Sequence, residues 1–218
     1  SLGLVGSEMC IRDSLYIAGH LYQPLLYLNE SNFNHKELGI LIEVQPVALN
    51  KGERDFVCDI QRFFDNNPAF FEGKSLYLLR NKSRKGIGFF DDSGFYPDFI
   101  VWLVVGEHQY VSFIDPKGIR NLNGFSDSKI QLHKVIREDI EPGLHDASIT
   151  LNSYIISNTE MKDVKHWVDF PELDLNSKQK KFNEHHIYFQ GDQKESYIQL
   201  ILENMISSCL LYTSPSPR

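Results

Sequence analysis

The segment FYPDFIVWLVVGEHQYVSFIDPKG, residues 95–118, limits the fold more than any other part of the chain. Two apolar runs rich in β-branched and aromatic residues flank Gly106-Glu107-His108. That pattern reads as a β-hairpin, with strands over Phe95–Val105 and Gln109–Lys117. Each run also carries charge: Asp98 just inside the first, Asp115 and Lys117 at the end of the second. A charge taken into a sheet is costly unless it is paired or holds a metal, so this stretch is the place to look for function. Side chains alternate along a strand, so Asp115 and Lys117 point the same way, with Pro116 turned from them. Proline removes one ladder N–H, which fits a strand end or a sheet edge.

The neighbouring sequence supplies the layers that such a hairpin needs. Asn50-Lys51-Gly52-Glu53 has the form of a capping box, an N-cap followed three residues later by an acid. Phe56, Val57, Ile60, Phe63 and Phe64 then recur at helical spacing until Asn66-Asn67-Pro68 stops the helix. SLYLLR (75–80) reads as a strand and NKSRKGIGFFDDSG (81–94) as a turn-rich connection. Ser126 to about Ile140 makes a second amphipathic helix, ended by Pro142-Gly143, and Ala147–Ser157 a further strand. The expected order is α-β-β-β-α-β, an α/β fold with a mixed central sheet between helices. HIYFQ (186–190) adds a short strand, and Glu195 to Ile206 a terminal helix with Tyr197, Ile198, Ile201, Leu202 and Met205 on one stripe.

Both ends stand apart from this pattern. Back-translated, reverse-complemented and read in a shifted frame, the C-terminal CLLYTSPSPR yields VGSEMCIRD, which is the segment Val5–Asp13. A protein has no physical reason to begin and end in inverted copies of one DNA string. Residues 1–14 and 208–218 therefore read as translated sequencing adapter and are set aside from fold reasoning. Residues 15–48 read as a connector or strand segment from an upstream region, and 49–207 as one domain. The native chain is then expected to be part of a longer protein.

Setting the tails aside leaves Cys58 as the one cysteine, which excludes a disulfide framework or a cysteine zinc site and suggests a reducing, cytoplasmic setting. No apolar run approaches the roughly 20 residues of a membrane span. A formal charge of −7 argues against a freestanding, non-specific nucleic-acid binder, though not against a cutting module delivered by a larger assembly.

The charged residues of the hairpin suit phosphodiester hydrolysis. Paired carboxylates hold Mg²⁺, which prefers oxygen ligands and retains waters. A lysine beside them can orient the attacking water and offset developing negative charge. Pro97-Asp98 followed by Asp115-Pro116-Lys117, in the order α-β-β-β-α-β, resembles the PD-(D/E)XK nuclease superfamily. The longer text, LNKGERDFV, LYLLRN, GFF, FYPDFIVWL and FIDPKG, is similar to the C-terminal endonuclease region of type III restriction enzyme subunits and related phage-defence helicase-nucleases. The likeness runs over roughly residues 40–206.

The resemblance implies a Mg²⁺-dependent DNA endonuclease domain, with Asp98, Asp115 and Lys117 catalytic. It implies Asp98 and Asp115 as metal ligands, joined by the backbone carbonyl of Pro116 and, from the first helix, by Glu53. It also implies DNA as substrate, a helicase or translocase domain upstream in the same polypeptide that alone would use ATP, and a modification or specificity subunit; no membrane is involved. Aspartate stands where glutamate is commoner, and proline at the variable position is less usual for the family.

Plainer readings stand beside these. Asp115 and Lys117 can be a strand-end ion pair, Asp98 a turn carboxylate after proline, and Glu53 a helix cap. Gln131 and His133 can face either the site or solvent. His185-His186 invites a metal reading but has no partner at ligand spacing, and Asn81-Lys82-Ser83-Arg84-Lys85 is either a phosphate-touching loop or a solvated turn. An Asp ending an apolar strand also occurs in nucleoside triphosphatases, but these need a GxxxxGK[ST] loop that is lacking here. From another functional class, a catalytically silent nuclease-fold module that binds DNA or docks on a helicase fits the same residues.

Overall fold

A computed structural model describes residues 14–16, 49–81, 96–164, 167, 173–194 and 196–207. The excluded tails up to residue 13 and from 208 on, most of the 15–48 segment and the basic loop after Asn81 lie outside them.

The capping box forms as its sequence dictates. The Glu53 N–H donates to Asn50 Oδ1 at 3.0 Å and the Asn50 N–H donates back to Glu53 Oε2 at 3.3 Å, opening α1 (Lys51–Asn66). The helix buries Phe56, Val57, Ile60 and Phe63 on one face, with Phe64 half-buried. At its far end Phe63, Phe64, Phe70 and Phe71 meet ring to ring, the closest centroids 4.7 Å apart, which locks the turn into the sheet. Each such pair contributes about 0.5–1.5 kcal/mol beyond the area it buries.

The sheet is mixed and its strands lie in chain order: β1 (Ser14–Tyr16), β2 (Lys74–Arg80), β3 (Phe99–Val105), β4 (His108–Lys117), β5 (Ile149–Ser157) and β6 (Ile187–Phe189). The first four run antiparallel to their neighbours, and β4, β5 and β6 pair in parallel. Ser14, set aside with the N-terminal tail, is here the first residue of β1 and lies opposite Leu79. Gly106, at φ +59, turns the β3–β4 hairpin, a left-handed backbone that a side chain would strain.

From Lys51 to Ser157 the elements follow α-β-β-β-α-β, although several boundaries differ from the sequence reading. The strand expected from Phe95 begins at Phe99, because Pro97 offers no N–H for the ladder. The helix expected over 126–140 divides into a short 3₁₀ turn (Gly124–Ser126), α2 (Ser128–Val135) and a π turn (Ile136–Ile140). The N-cap is Asp127, whose side chain accepts from the Lys129 N–H, and this starts the helix two residues late. A helix absent from the sequence reading, α3 (Leu175–Glu184), is capped by Asp174 and buries only Phe182. A short α4 (Gln190–Gln193) precedes α5 (Ser196–Ser207), which buries the five residues of the expected stripe.

Alternation along β3 divides the core. Phe99, Val101 and Leu103 pack with α1 and α5, while Ile100 packs with Leu132 and Ile136 behind α2. A third cluster, Ile119, Ile155, Phe182, Ile187 and Phe189 among others, lies under α3. No helix among the described residues is long and apolar enough to cross a membrane.

Candidate functional site

The site arises because β4 outruns its antiparallel neighbour. Pairing between β3 and β4 ends at Phe99 opposite Ile114, while the parallel ladder with β5 continues to Lys117 opposite Ser157. Among the described residues, Asp115, Pro116 and Lys117 therefore have a strand on one side only, where a residue without an N–H is tolerated. One further step in the register places Asp98 across from Asp115. Asp98 is not held by the ladder to β4. The Asn81 N–H donates to the Asp98 carbonyl and the Asn81 side-chain amide donates to the Pro97 carbonyl, each at 2.8 Å. One residue at the end of β2 thus clamps the Pro97-Asp98 backbone.

The side chains converge. Asp115 is buried, with 6% of its surface exposed, and its carboxylate forms an ion pair with the Lys117 ammonium. The Asp98 carboxyl is pushed up to about 7, first because burial removes it from water and then because the Asp115 charge lies beside it. A hydrogen bond shared by the two carboxyls and the charge of Glu53 push the same way, and Lys117 opposes them. Near neutrality Asp98 therefore holds its proton far more readily than a free carboxyl does, a state that an added cation would displace.

Glu53 serves two purposes. It closes the capping box, and its Oε2 lies 3.5 Å from Arg80 Nη2 at the end of β2. The cap reading holds, and the same residue in the first turn of α1 reaches Arg80 and lends its charge to Asp98. Arg80 has no place in the sequence reading; its position immediately before Asn81 at the end of an apolar strand was the available signal.

The donor set is carboxylate oxygen, which suits a hard cation such as Mg²⁺ rather than a soft one. Two acids forced together, one of them retaining its proton, are chemically what such a cation relieves. Among the described residues no three His, Cys, Asp or Glu side chains gather as a ready metal cage, so Glu53 stands beside the two aspartates rather than completing a triad with them. Pro116 is buried and in register with Ile156. No protein-family model, curated protein or solved structure matches this chain.

The remaining candidates lie elsewhere. The Gln131 amide donates to the Phe125 carbonyl, so it braces the start of α2. His133 is neither at the carboxylates nor on a solvated face. Its Nδ1 lies 2.7 Å from the Ile130 carbonyl, and its ring stacks on His186. Burial lowers His133 to about 4 and His186 to about 3. His186 also stacks on Tyr154, and His185 on Phe125. The His185-His186 pair is thus aromatic packing between the sheet, α2 and the strand leading into β6. Of the basic loop, only Asn81 lies within the described residues, and it clamps Asp98.

Proposed function

We propose that this chain is a Mg²⁺-dependent endodeoxyribonuclease domain of the PD-(D/E)XK kind, the cutting module of a type III restriction or phage-defence helicase-nuclease. The observation that carries this reading is the meeting of the Asp98 and Asp115 carboxyls, with the Lys117 ammonium paired to Asp115, at the overhanging end of one hairpin. An ordinary strand-end ion pair explains Asp115 and Lys117 but gives no reason to force a second, half-buried carboxylate against them.

Asp98 and Asp115 would hold the cation, with the Pro116 carbonyl and Glu53 as further oxygen donors. A cation bound there supplies charge to a phosphoryl oxygen and lowers the pKa of a bound water. Lys117, kept in place by Asp115, orients the attacking water in line with the scissile bond and balances charge that develops on the phosphate. Arg80 restrains Glu53 and adds positive charge at the strand ends, where a DNA backbone would lie. On this reading, translocation powered by ATP belongs to an upstream helicase domain and sequence choice to a modification subunit, in the cytoplasm.

The test is cleavage of DNA by the complete helicase-nuclease assembly carrying Asp115→Ala or Lys117→Ala. Each should lower the cutting rate by roughly 10²-fold or more while DNA binding and ATP hydrolysis persist. Asp115→Ala should also lose the response to Mg²⁺, whereas Lys117→Ala should keep it. Undiminished cutting by either variant sinks the assignment. A second reading, a nuclease-fold module that binds DNA or docks on a helicase without cutting, is favoured by one observation, the lack of a three-ligand cage among the described residues. Mg²⁺-independent DNA binding by an inactive parent protein would select it.

A further inference from the structure

Between the first turn of α1 and the segments that follow β5 and β6 lies an open cleft of about 400 Å³, lined by Lys51, Gly52, Asp55, Asn158, Gln190 and Gly191. Two links join it to the candidate site. Gly52 precedes Glu53 in the first turn of α1, and the Asn158 N–H donates to the Lys117 carbonyl at 3.2 Å. Both links run through the backbone, and they put the cleft at the same end of the sheet as Asp98, Asp115 and Lys117.

The lining is built around the Asn158 amide. A Cβ on Gly52 would come within 3.0 Å of Asn158 Nδ2, and one on Gly118 within 3.2 Å of Asn158 Oδ1. Both positions lack a side chain, and that leaves room for the amide to stand between α1 and the end of β4. Across from it, Gln190 Nε2 donates to the Gly52 carbonyl at 3.0 Å, which fixes a second amide at the wall. Lys51 and Asp55 balance each other in charge, and Asp55 also lies 3.4 Å from Arg54 Nη2.

This composition decides between ligands. A phosphate would meet the Asp55 carboxylate and gain only one ammonium in return. A heterocycle edge needs donors and acceptors side by side, and Lys, Asn, Gln and Asp are the side chains that match base edges. Gly191, exposed and without a side chain, offers backbone against which a flat ring can lie, and the volume falls within the roughly 300–1,000 Å³ of small-molecule sites.

We propose that this cleft seats one nucleobase of the strand being cut, belonging to the nucleotide next to the scissile phosphate. The inference rests on the nuclease reading for the identity of the strand, and makes Lys51, Asp55, Asn158 and Gln190 residues that bias which base flanks the cut.

The experiment follows backbone amide shifts of the ¹⁵N-labelled chain, without Mg²⁺, as dAMP, dGMP, dCMP, dTMP or deoxyribose 5-phosphate is added. At least one nucleotide should move the amides of Gly52, Asn158 and Gly191 and bind roughly tenfold more tightly than deoxyribose 5-phosphate. Asn158→Ala and Lys51→Ala, both at exposed positions, should each weaken that binding several-fold with the melting temperature unchanged. An equal response to deoxyribose 5-phosphate, or no response of the cleft amides to any nucleotide, overturns the proposal. DNA cleavage measured in parallel separates it from the reading it rests on. Cutting without a cleft response removes the base seat and leaves the nuclease, while a nucleotide response without cutting keeps the seat and removes the nuclease.

Discussion

The imidazole of His133 on α2 stacks on that of His186 ahead of β6, with ring centroids 4.2 Å apart and 24° between their planes. Burial holds both rings neutral, lowering His133 to about 4 and His186 to about 3, and the nearby charge of Arg137 acts on both in the same sense. Lys134 and His185 add to this at His133. An unfolded histidine titrates near pH 6.5. The unfolded chain therefore takes up protons first as pH falls, and stability should decline from about pH 6.5 downward and level off below the folded values. Urea midpoints measured from pH 7 to pH 4 check this. His133→Phe, which keeps the stack and removes one titrating group, should flatten the slope; an unaltered slope would refute the role given to the pair.

At the carboxylates the sign reverses. Asp98 in the folded chain holds its proton up to about pH 7, against about 3.9 when unfolded, so its ionisation removes stability as pH rises through that interval. Asp98→Asn should thus raise the melting temperature at pH 8 by about 2–4 °C for each kcal/mol relieved, and leave it nearly unchanged at pH 4. The wild-type chain should gain stability from Mg²⁺ at pH 8, and the variant should gain little or none. Calorimetry with and without Mg²⁺ at the two pH values measures all of this, and equal Mg²⁺ stabilisation of both proteins would count against Asp98 as a ligand.

Asn81→Ala removes the amide that donates to the Pro97 carbonyl but keeps the backbone bond to Asp98. The stability cost should be about 1 kcal/mol, as for one net hydrogen bond. If Asp98 acts as proposed, the cutting rate should fall further than that, by roughly tenfold or more, because a carboxylate displaced by a fraction of an ångström loses its alignment. Denaturation and cleavage kinetics on the same preparation distinguish the two effects.

The buried Tyr197 hydroxyl donates to Asp59 Oδ2 at 2.8 Å and ties α5 to α1. Tyr197→Phe leaves the ring in place and removes one donor from a carboxylate that keeps Arg62, so it should cost about 1–2 kcal/mol. Cleavage per folded molecule should be unchanged. Chemical denaturation gives the first number, and an activity loss at low temperature would show the tie reaching further than the helix pair.

What the sequence discloses follows the range of the forces involved. The box at Asn50–Glu53, the stripe of α5 and the β3–β4 hairpin are local patterns, and they formed with boundaries displaced by a few residues. The meeting of Asp98 with Asp115 is also near-local, since a hairpin fixes its own register. α3 gave little signal because its only buried residue is Phe182, too little for a periodicity to stand out. The His133–His186 stack joins residues far apart in the chain on separate elements, and neither has a neighbour in sequence that announces it. Arg80 became part of the site only through where β2 ends relative to Glu53, which is a property of the sheet.

The pair of hydrogen bonds from Asn81 to the Pro97 and Asp98 carbonyls has a consequence for how this chain can change length. It closes the connection between β2 and β3 at its base, so residues inserted or removed between Asn81 and Tyr96 act on a loop whose ends are already joined. Doubling such a loop adds only about 0.6 kcal/mol of closure entropy. The backbone that carries Asp98 is thereby held independently of the span that precedes it, and a domain graft or a cleavable sequence placed there should leave the pairing of Asp115 with Lys117 intact.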